Sequence, residues 1–391
     1  MASFFGITIP FLLIALSGYI IWRSTDGFEK AADYLGRNLT RGIKGATINA
    51  VASSMPEFLA TLFFLFYIAD VGEFEDSFSG GIGITAGSAV FNILIIPIIV
   101  LFWVAITKKY NRIPLDKKLL KRDGLFLVAA NLIMLFIIRQ KTLDAVDGIF
   151  LIMIYLGYLF FLWKVLKRSP GKPNAGTYYM APSSRGVFMK IVRIDVSFWI
   201  MKGKTINTRL AWTQLLISVA IMCIGTWLLV KGTELLGADE YSFFGLQGLK
   251  GLNIPIIFVS VILAAAASSL PDTMISMRDA RKGNFDDSIS NTLASNIFDI
   301  SFALGFPLLI YTLINGPIEM SEMVRRWSLG IWMILFLINV IVIPIFIYSK
   351  NIGGKTGLVL LAIYVMFVFF IVEESIQSQW VNWAIDHLII K

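Results

Sequence analysis

The chain has 391 residues, of which 57% are apolar and only 15% charged, with a net charge of +8; its mean hydropathy is +0.75. A soluble protein of this length needs polar surface for two or three domains, and the sequence has no such stretch, so the composition reads as a membrane protein. One cysteine, Cys223, and one histidine, His387, exclude a disulfide framework and a thiolate or imidazole metal centre.

Runs of about 20 apolar residues, enough to cross a bilayer as helix, recur along the chain. They predict ten spans near 4–22, 45–69, 81–106, 124–139, 146–166, 209–230, 252–277, 287–313, 328–348 and 356–373. The first, Phe4 to Trp22, lacks a basic leader and is long enough to span, so it reads as a membrane helix rather than a cleavable signal. Assigning each charge to its nearest loop, the loops after spans one, three, five, seven and nine carry 27 of the 34 Lys and Arg. That bias predicts odd-numbered loops in the cytoplasm and both termini outside. The net charge then reflects topology and not nucleic-acid binding.

The acidic loop 70–80 falls outside, and the basic turn Arg278-Asp279-Ala280-Arg281-Lys282 inside. Gly80-Gly81-Ile82-Gly83, at the entry to span three, reads as close helix packing, and Lys231 with Glu234 as an interfacial pair. The longest connection, 167–208, opens with Ser169-Pro170-Gly171-Lys172-Pro173, which cannot be regular helix. Its continuation, Val187 to Arg193, mixes basic and apolar residues and suits either the inner membrane surface or a solvated linker. The predicted organisation is a first five-helix repeat at 1–166, a cytoplasmic linker at 167–208, and a second five-helix repeat with an external tail at 209–391.

Two polar clusters interrupt the apolar spans. Ala52-Ser53-Ser54-Met55-Pro56-Glu57 is followed by Gly87-Ser88-Ala89-Val90-Phe91-Asn92. Ala267-Ser268-Ser269-Leu270-Pro271-Asp272 is followed by Ala294-Ser295-Asn296-Ile297-Phe298-Asp299. A carboxylate at bilayer depth is costly unless something cationic or wet lies beside it. The copies are five spans apart, an odd number, so they face opposite ways across the membrane. Inverted repeats of this kind meet near the midplane and suit alternating access. The expected fold is therefore an all-α membrane protein of about ten helices in two inverted five-helix repeats. The eight residues by which the first copy is longer are expected in the external loop.

Helical spacing puts Ser53, Ser54 and Glu57 on one face, and likewise Ser268, Ser269 and Asp272; Ser88/Asn92 and Ser295/Asp299 sit one turn apart. Pro56 and Pro271 withhold a backbone donor from the carbonyls of Ala52 and Ala267, which become available to a cation. Such an all-oxygen set suits a hard cation such as Ca²⁺ and not Zn²⁺ or copper. Glu57, Asp272 and Asp299 bring up to three negative charges, enough for one divalent or several monovalent ions. The bland reading of each motif alone, a kinking proline and serines bonded to their own helix, weakens when the motif occurs twice in matching positions.

These residues resemble the alpha-repeats of the sodium/calcium exchanger (cation/Ca²⁺ antiporter) superfamily. The signature there is Gly-Thr-Ser-x-Pro-Glu/Asp followed by Gly-Ser-x-x-Phe-Asn/Asp. The likeness lies in Ser54 to Glu57, Gly87 to Leu94, Ser269 to Asp272 and Ser295 to Ile300, with the turn Ala280-Arg281-Lys282-Gly283 also similar. Glu57 paired with Asp272, and the Gly87–Asn92 stretch, look most like the potassium-dependent branch. The resemblance implies that Glu57 and Asp272 are the central cation ligands, that Ser53, Ser54, Ser268 and Ser269 lend oxygens, and that Ser88, Asn92, Ser295 and Asp299 complete the sites. The family's glycine is Ala52 and Ala267 here, and its threonine Ser53 and Ser268, changes made in both copies.

Motifs and resemblance together imply a secondary antiporter of a plasma or bacterial inner membrane, exchanging Ca²⁺ for Na⁺ with K⁺ as a further candidate ion. It needs no cofactor and has the lipid bilayer as its partner, with no nucleic acid and no obligate protein partner. A proton-coupled or Mg²⁺-selective exchanger on the same fold is the alternative, although the Gly-Asn-Ala-x-Glu pattern of the proton-coupled branch is absent. A channel or an intramembrane carboxylate enzyme ranks lower, since a hydrolase needs no inverted copy.

Overall fold

The computed structural model describes residues 2–37, 45–68, 74–108, 113, 115–168, 187–201, 205–349 and 352–375. Ten helical passages fill it. The first five are α1 (Ala2–Leu35), the bent pair α2 (Ala50–Ser53) and α3 (Met55–Phe63), α4 (Phe74–Thr107), α5 (Lys117–Ile138) and α6 (Ala145–Arg168). Two short linker helices, α7 (Val187–Val192) and α8 (Val196–Met201), precede α9 (Thr208–Gly237). The bent passage of α10 (Ile256–Val259), α11 (Ala265–Ser268) and α12 (Leu270–Arg281) follows, then α13 (Phe285–Phe298) continuing into α14 (Leu304–Asn315), α15 (Glu322–Tyr348) and α16 (Gly354–Ser375). Among the described residues seven helices are long and apolar enough to cross a membrane, or nine with each bent pair as one span. The tenth passage, α5, opens with Lys117, Lys118, Lys121 and Arg122, which leave it a shorter apolar stretch.

Side chains of the flanking residues start several of these helices. Asp116 accepts from Lys118 N at 2.8 Å and Asn207 from Leu210 N at 2.9 Å, each satisfying one of the donors that a helix start leaves free. Ser321 does the same for α15.

Contacts between connections follow the parity of the spans. The loops after spans four and eight pair as strands β1 (Thr142–Leu143) and β4 (Ile318–Glu319). The connection after span six forms a hairpin of β2 (Glu240–Phe243) and β3 (Leu246–Lys250), and Tyr241 Oη donates to Gly6 O at the start of α1 at 2.6 Å. At the other end, Asp116 N donates to Asp286 Oδ1 at 2.7 Å, Arg23 to Arg193 O at 2.7 Å, and Arg278 to Asp26 at 3.0 Å. Even connections thus meet even ones and odd meet odd, as ten alternating crossings require.

Three details differ from the sequence expectation. Helix α1 runs to Leu35, well past Trp22, and is about 50 Å long at 1.5 Å per residue, against roughly 30 Å of hydrocarbon. Its charged end stays helical because Asp26 and Glu29 pair with Arg278 of α12. For the same reason Arg278 to Arg281 form the last turn of α12 and not a loop. Finally, α4 begins a turn farther from Asn92 than α13 begins from Asp299, so part of the first repeat's extra length is helical. The rest of that loop, residues 69–73, lies outside the described residues, as do linker residues 169–186 and His387.

The glycines at the start of span three do mark close packing. A Cβ on Gly80 would lie 2.5 Å from the Phe64 ring, and one on Gly83 2.6 Å from Ile257 O. Lys231 and Glu234 pair at 2.7 Å near the end of α9. In the linker, Tyr19 Oη and Arg23 hold the α7 end through Val192 O and Arg193 O, while Phe188 and Ile191 are exposed.

Candidate cation site

The two passages that carry the polar clusters break at the same place. Ser54 (φ −92°, ψ 4°) and Ser269 (φ −79°, ψ 3°) leave helical geometry, and the passages bend there by 42° and 41°. Pro56 and Pro271 stand in the first turn of the half-helices α3 and α12, where a missing N–H costs little. Glu57 and Asp272 occupy the same first turns, so the positive end of each half-helix faces a carboxylate. The halves α2 and α11 end against the break, with Ala52 and Ala267 in their last turns. Broken helices of inverted repeats build their ion sites in this way.

Side chains of the two repeats interlock around the breaks. Ser88 Oγ donates to Glu57 Oε1 at 2.9 Å, and lies 3.4 Å from Asp299 Oδ2 and 2.8 Å from Ser269 Oγ. Ser295 Oγ donates to Asp272 Oδ1 at 2.6 Å and sits 3.2 Å from Ser53 Oγ. Asn92 Nδ2 reaches Ser88 Oγ at 3.5 Å and Asn296 Oδ1 at 3.1 Å. Ser268 lies within reach of Glu57, while its own hydroxyl donates to Ala265 O. Every carboxylate, serine and asparagine anticipated from the sequence is fully buried, and the structure gathers them all in one region.

What remains unpaired there is oxygen. Ser54 Oγ, Glu57 Oε2, Asn92 Oδ1, Asp272 Oδ2, Asn291 Oδ1 and Asp299 Oδ1 are buried without a hydrogen-bond partner. Each of the three acids so keeps one free oxygen, in a medium where an unpaired acceptor is costly. Among the described residues no three His, Cys, Asp or Glu side chains cluster tightly enough to hold a metal unaided. A cation here would draw on serine and asparagine oxygens as well, which is what an oxygen-rich shell for a hard cation consists of.

Two residues escaped the sequence reading. Asn291 donates to Asp272 Oδ1 at 3.4 Å and to Ser276 Oγ at 3.2 Å. Asn296 donates to Ala89 O at 2.9 Å and ties α13 to α4. The signal available for both was an asparagine in an otherwise apolar or small-residue helix face. The alanine at 267 in place of the family's glycine is accommodated from outside: Gly18 of α1 lies over it, where an added Cβ would be 3.4 Å from the Ala267 Cβ.

Residues 9–164 and 210–373 match the sequence model of the sodium/calcium exchanger protein family. The chain belongs to that family. It is 32% identical to sodium/potassium/calcium exchanger 4 of Mus musculus over 120 residues, which is 30% of this chain and 19% of the relative. With sodium/potassium/calcium exchanger 3 of Homo sapiens it shares 31% over 136 residues, 34% of this chain and 21% of the relative. The matched part spans about a fifth of the length of these curated relatives. Among solved structures, the H⁺/Ca²⁺ exchanger CAX superposes with a TM-score of 0.57 at 16% identity, covering 94% of this chain and 88% of that one. The sodium-calcium exchanger NCX_Mj superposes at 0.52 and 18% identity, covering 92% and 98%. The fold is thus the exchanger fold of two inverted repeats, and the protein is an integral membrane protein of a transporter family.

Proposed function

We propose that this chain is a secondary antiporter that exports Ca²⁺ from the cytoplasm in exchange for Na⁺, with K⁺ as an accompanying ion. One observation carries the reading: each of Glu57, Asp272 and Asp299 keeps a buried oxygen with no partner, where the two broken helices meet. Glu57 and Asp272 are the central ligands. Ser53, Ser54, Ser88, Asn92, Ser268, Ser269, Ser295, Asp299 and the carbonyls of Ala52 and Ala267 supply the remaining oxygens. Three carboxylates can be balanced by one Ca²⁺ and a proton or by three monovalent ions, so exchange of the two keeps the buried charge near neutral. The names of the sodium/potassium/calcium exchanger relatives support both Na⁺ and K⁺. The two ion-binding halves are residues 1–166 and 209–391, joined by a cytoplasmic linker at 167–208, with both termini outside a plasma or bacterial inner membrane.

Proton-coupled exchange is the second reading, favoured by the likeness of fold to the H⁺/Ca²⁺ exchanger CAX. Uptake of ⁴⁵Ca²⁺ into vesicles holding the purified chain separates the two. An outward Na⁺ gradient should drive accumulation, K⁺ should enhance it, and a pH gradient alone should not. Uptake that follows the pH gradient and ignores Na⁺ would replace the first reading by the second.

A further inference from the structure

The two repeats match at the carboxylates but diverge one turn away. Beyond Asp272, α12 carries Ser276 and Asp279, and the facing stretch of α13 carries Asn291 and Ser288. The repeat-related positions in the first half hold Thr61, Phe64, Ile84 and Gly81. Residues three, four and seven apart share a helix face, so Asp272, Ser276 and Asp279 line one side, and Ser295, Asn291 and Ser288 the other. This arm leads to the face that carries the basic loops. The corresponding arm of the first repeat leads to the opposite face, and of these four positions only Thr61 is polar. There the Phe64 ring fills the space over Gly80, and the Thr61 hydroxyl is occupied by Glu57 O at 2.9 Å.

Asn291 is fully buried. Its Nδ2 donates to Ser276 Oγ at 3.2 Å and to Asp272 Oδ1 at 3.4 Å, while its Oδ1 has no donor. Asp272 Oδ2 and Ser288 Oγ are also buried without partners. A buried carbonyl left unpaired costs free energy. The isoleucine at the related position, Ile84, is buried with no polar group at all, so packing in this fold does not demand an amide there.

We propose that Asn291 and Ser276, with the free oxygen of Asp272, form a monovalent-cation subsite one helical turn from the carboxylate centre, on the path to the basic-loop face. An amide oxygen and a hydroxyl beside one shared carboxylate carry a single negative charge. That set matches Na⁺ or K⁺ rather than a divalent ion, and hard cations take oxygen ligands of this kind. Asp279 and Ser288 continue the stripe outward and offer oxygens to a cation that is exchanging its water shell. The ion's identity rests on the antiport reading; the geometry does not.

Equilibrium binding of ²²Na⁺ and ⁸⁶Rb⁺ (standing for K⁺) to the purified full-length chain tests it, with ⁴⁵Ca²⁺ binding measured beside them. N291L and S276A should each weaken binding of one of the monovalent ions by about fivefold or more, and by at least about threefold more than they weaken Ca²⁺ binding. The ion affected identifies the occupant. Equal weakening of Ca²⁺ and of the monovalent ions would mean that Asn291 only props Asp272, and no weakening of either would mean no subsite; both overturn the proposal. S276A, a smaller change, carries the comparison if N291L fails to fold. A wild-type chain that binds Na⁺ or Rb⁺ through Asn291 yet moves no Ca²⁺ along a Na⁺ gradient would refute the antiport reading and leave the subsite standing.

Discussion

The hydroxyls of Ser88 and Ser269 lie 2.8 Å apart, although 181 residues separate them in the chain. Ser88 also donates to Glu57, so a serine of one helix links both broken helices and both repeats. The oxygens proposed to bind a cation are therefore the same ones that hold the repeats together.

Glu57→Gln and Asp272→Asn should each lower exchange at least about tenfold, the equivalent of ~1.4 kcal/mol in cation binding. Both keep shape and one oxygen but remove the charge that offsets cation dehydration. Initial ⁴⁵Ca²⁺ flux in vesicles, normalised to monodisperse protein, reads the loss. Wild-type flux from either variant would exclude that residue as a ligand.

Asp299 differs, because its repeat partner is the neutral Asn92. Asp299→Asn leaves two carboxylates, which still balance one Ca²⁺ but not three monovalent ions. The variant should bind Ca²⁺ within about threefold of wild type while losing at least about tenfold in Na⁺ affinity. Competition of Na⁺ against ⁴⁵Ca²⁺ measures both; loss of Ca²⁺ binding with the Na⁺ response intact would reject the assignment.

Gly87 packs against the first part of the second broken passage. A Cβ there would lie 2.1 Å from Val261 O and 2.6 Å from the Ala265 Cβ. The nearest of these atoms is a backbone carbonyl, which has little room to yield. Gly87→Ala should destabilise by about 1–3 kcal/mol, the usual cost of overpacking, seen as a lower melting temperature of the purified protein. An unchanged melting temperature would show that α4 can move away from α10 and α11.

Orientation can be read from single cysteines in a background without Cys223. Phe244, 93% exposed at the tip of the β2–β3 hairpin, belongs to an even-numbered connection. Phe244→Cys should react with an impermeant thiol reagent in intact cells, and Lys282→Cys only after permeabilisation. The reverse pattern would invert the assigned topology.

The ten passages, the paired clusters and their opposite orientation were legible because apolar runs and a doubled motif leave strong marks in a sequence. The length of α1 was not. Arg23, Asp26, Glu29 and Lys30 look like a loop until Arg278, some 250 residues later, pairs with Asp26 and Glu29. Asn291 was missed for a related reason. The asparagine stands a turn from the motif, and its meaning comes from the contrast with Ile84 at the repeat-related position together with its contacts to Asp272 and Ser276. The matching breaks at Ser54 and Ser269 were only half legible: the prolines announced a disturbance, but the structure places the break two residues before each of them.

Whether Glu57 and Asp272 hold one transported cation between them is decided by an experimental structure of the chain saturated with Ca²⁺. A single strong density is expected at the junction of the two helix breaks, with oxygens of Glu57, Asp272 and their neighbouring serines about 2.3–2.6 Å away. Ca²⁺ density elsewhere, or carboxyl groups of Glu57 and Asp272 more than about 10 Å apart and so beyond any shared shell, would contradict a shared site.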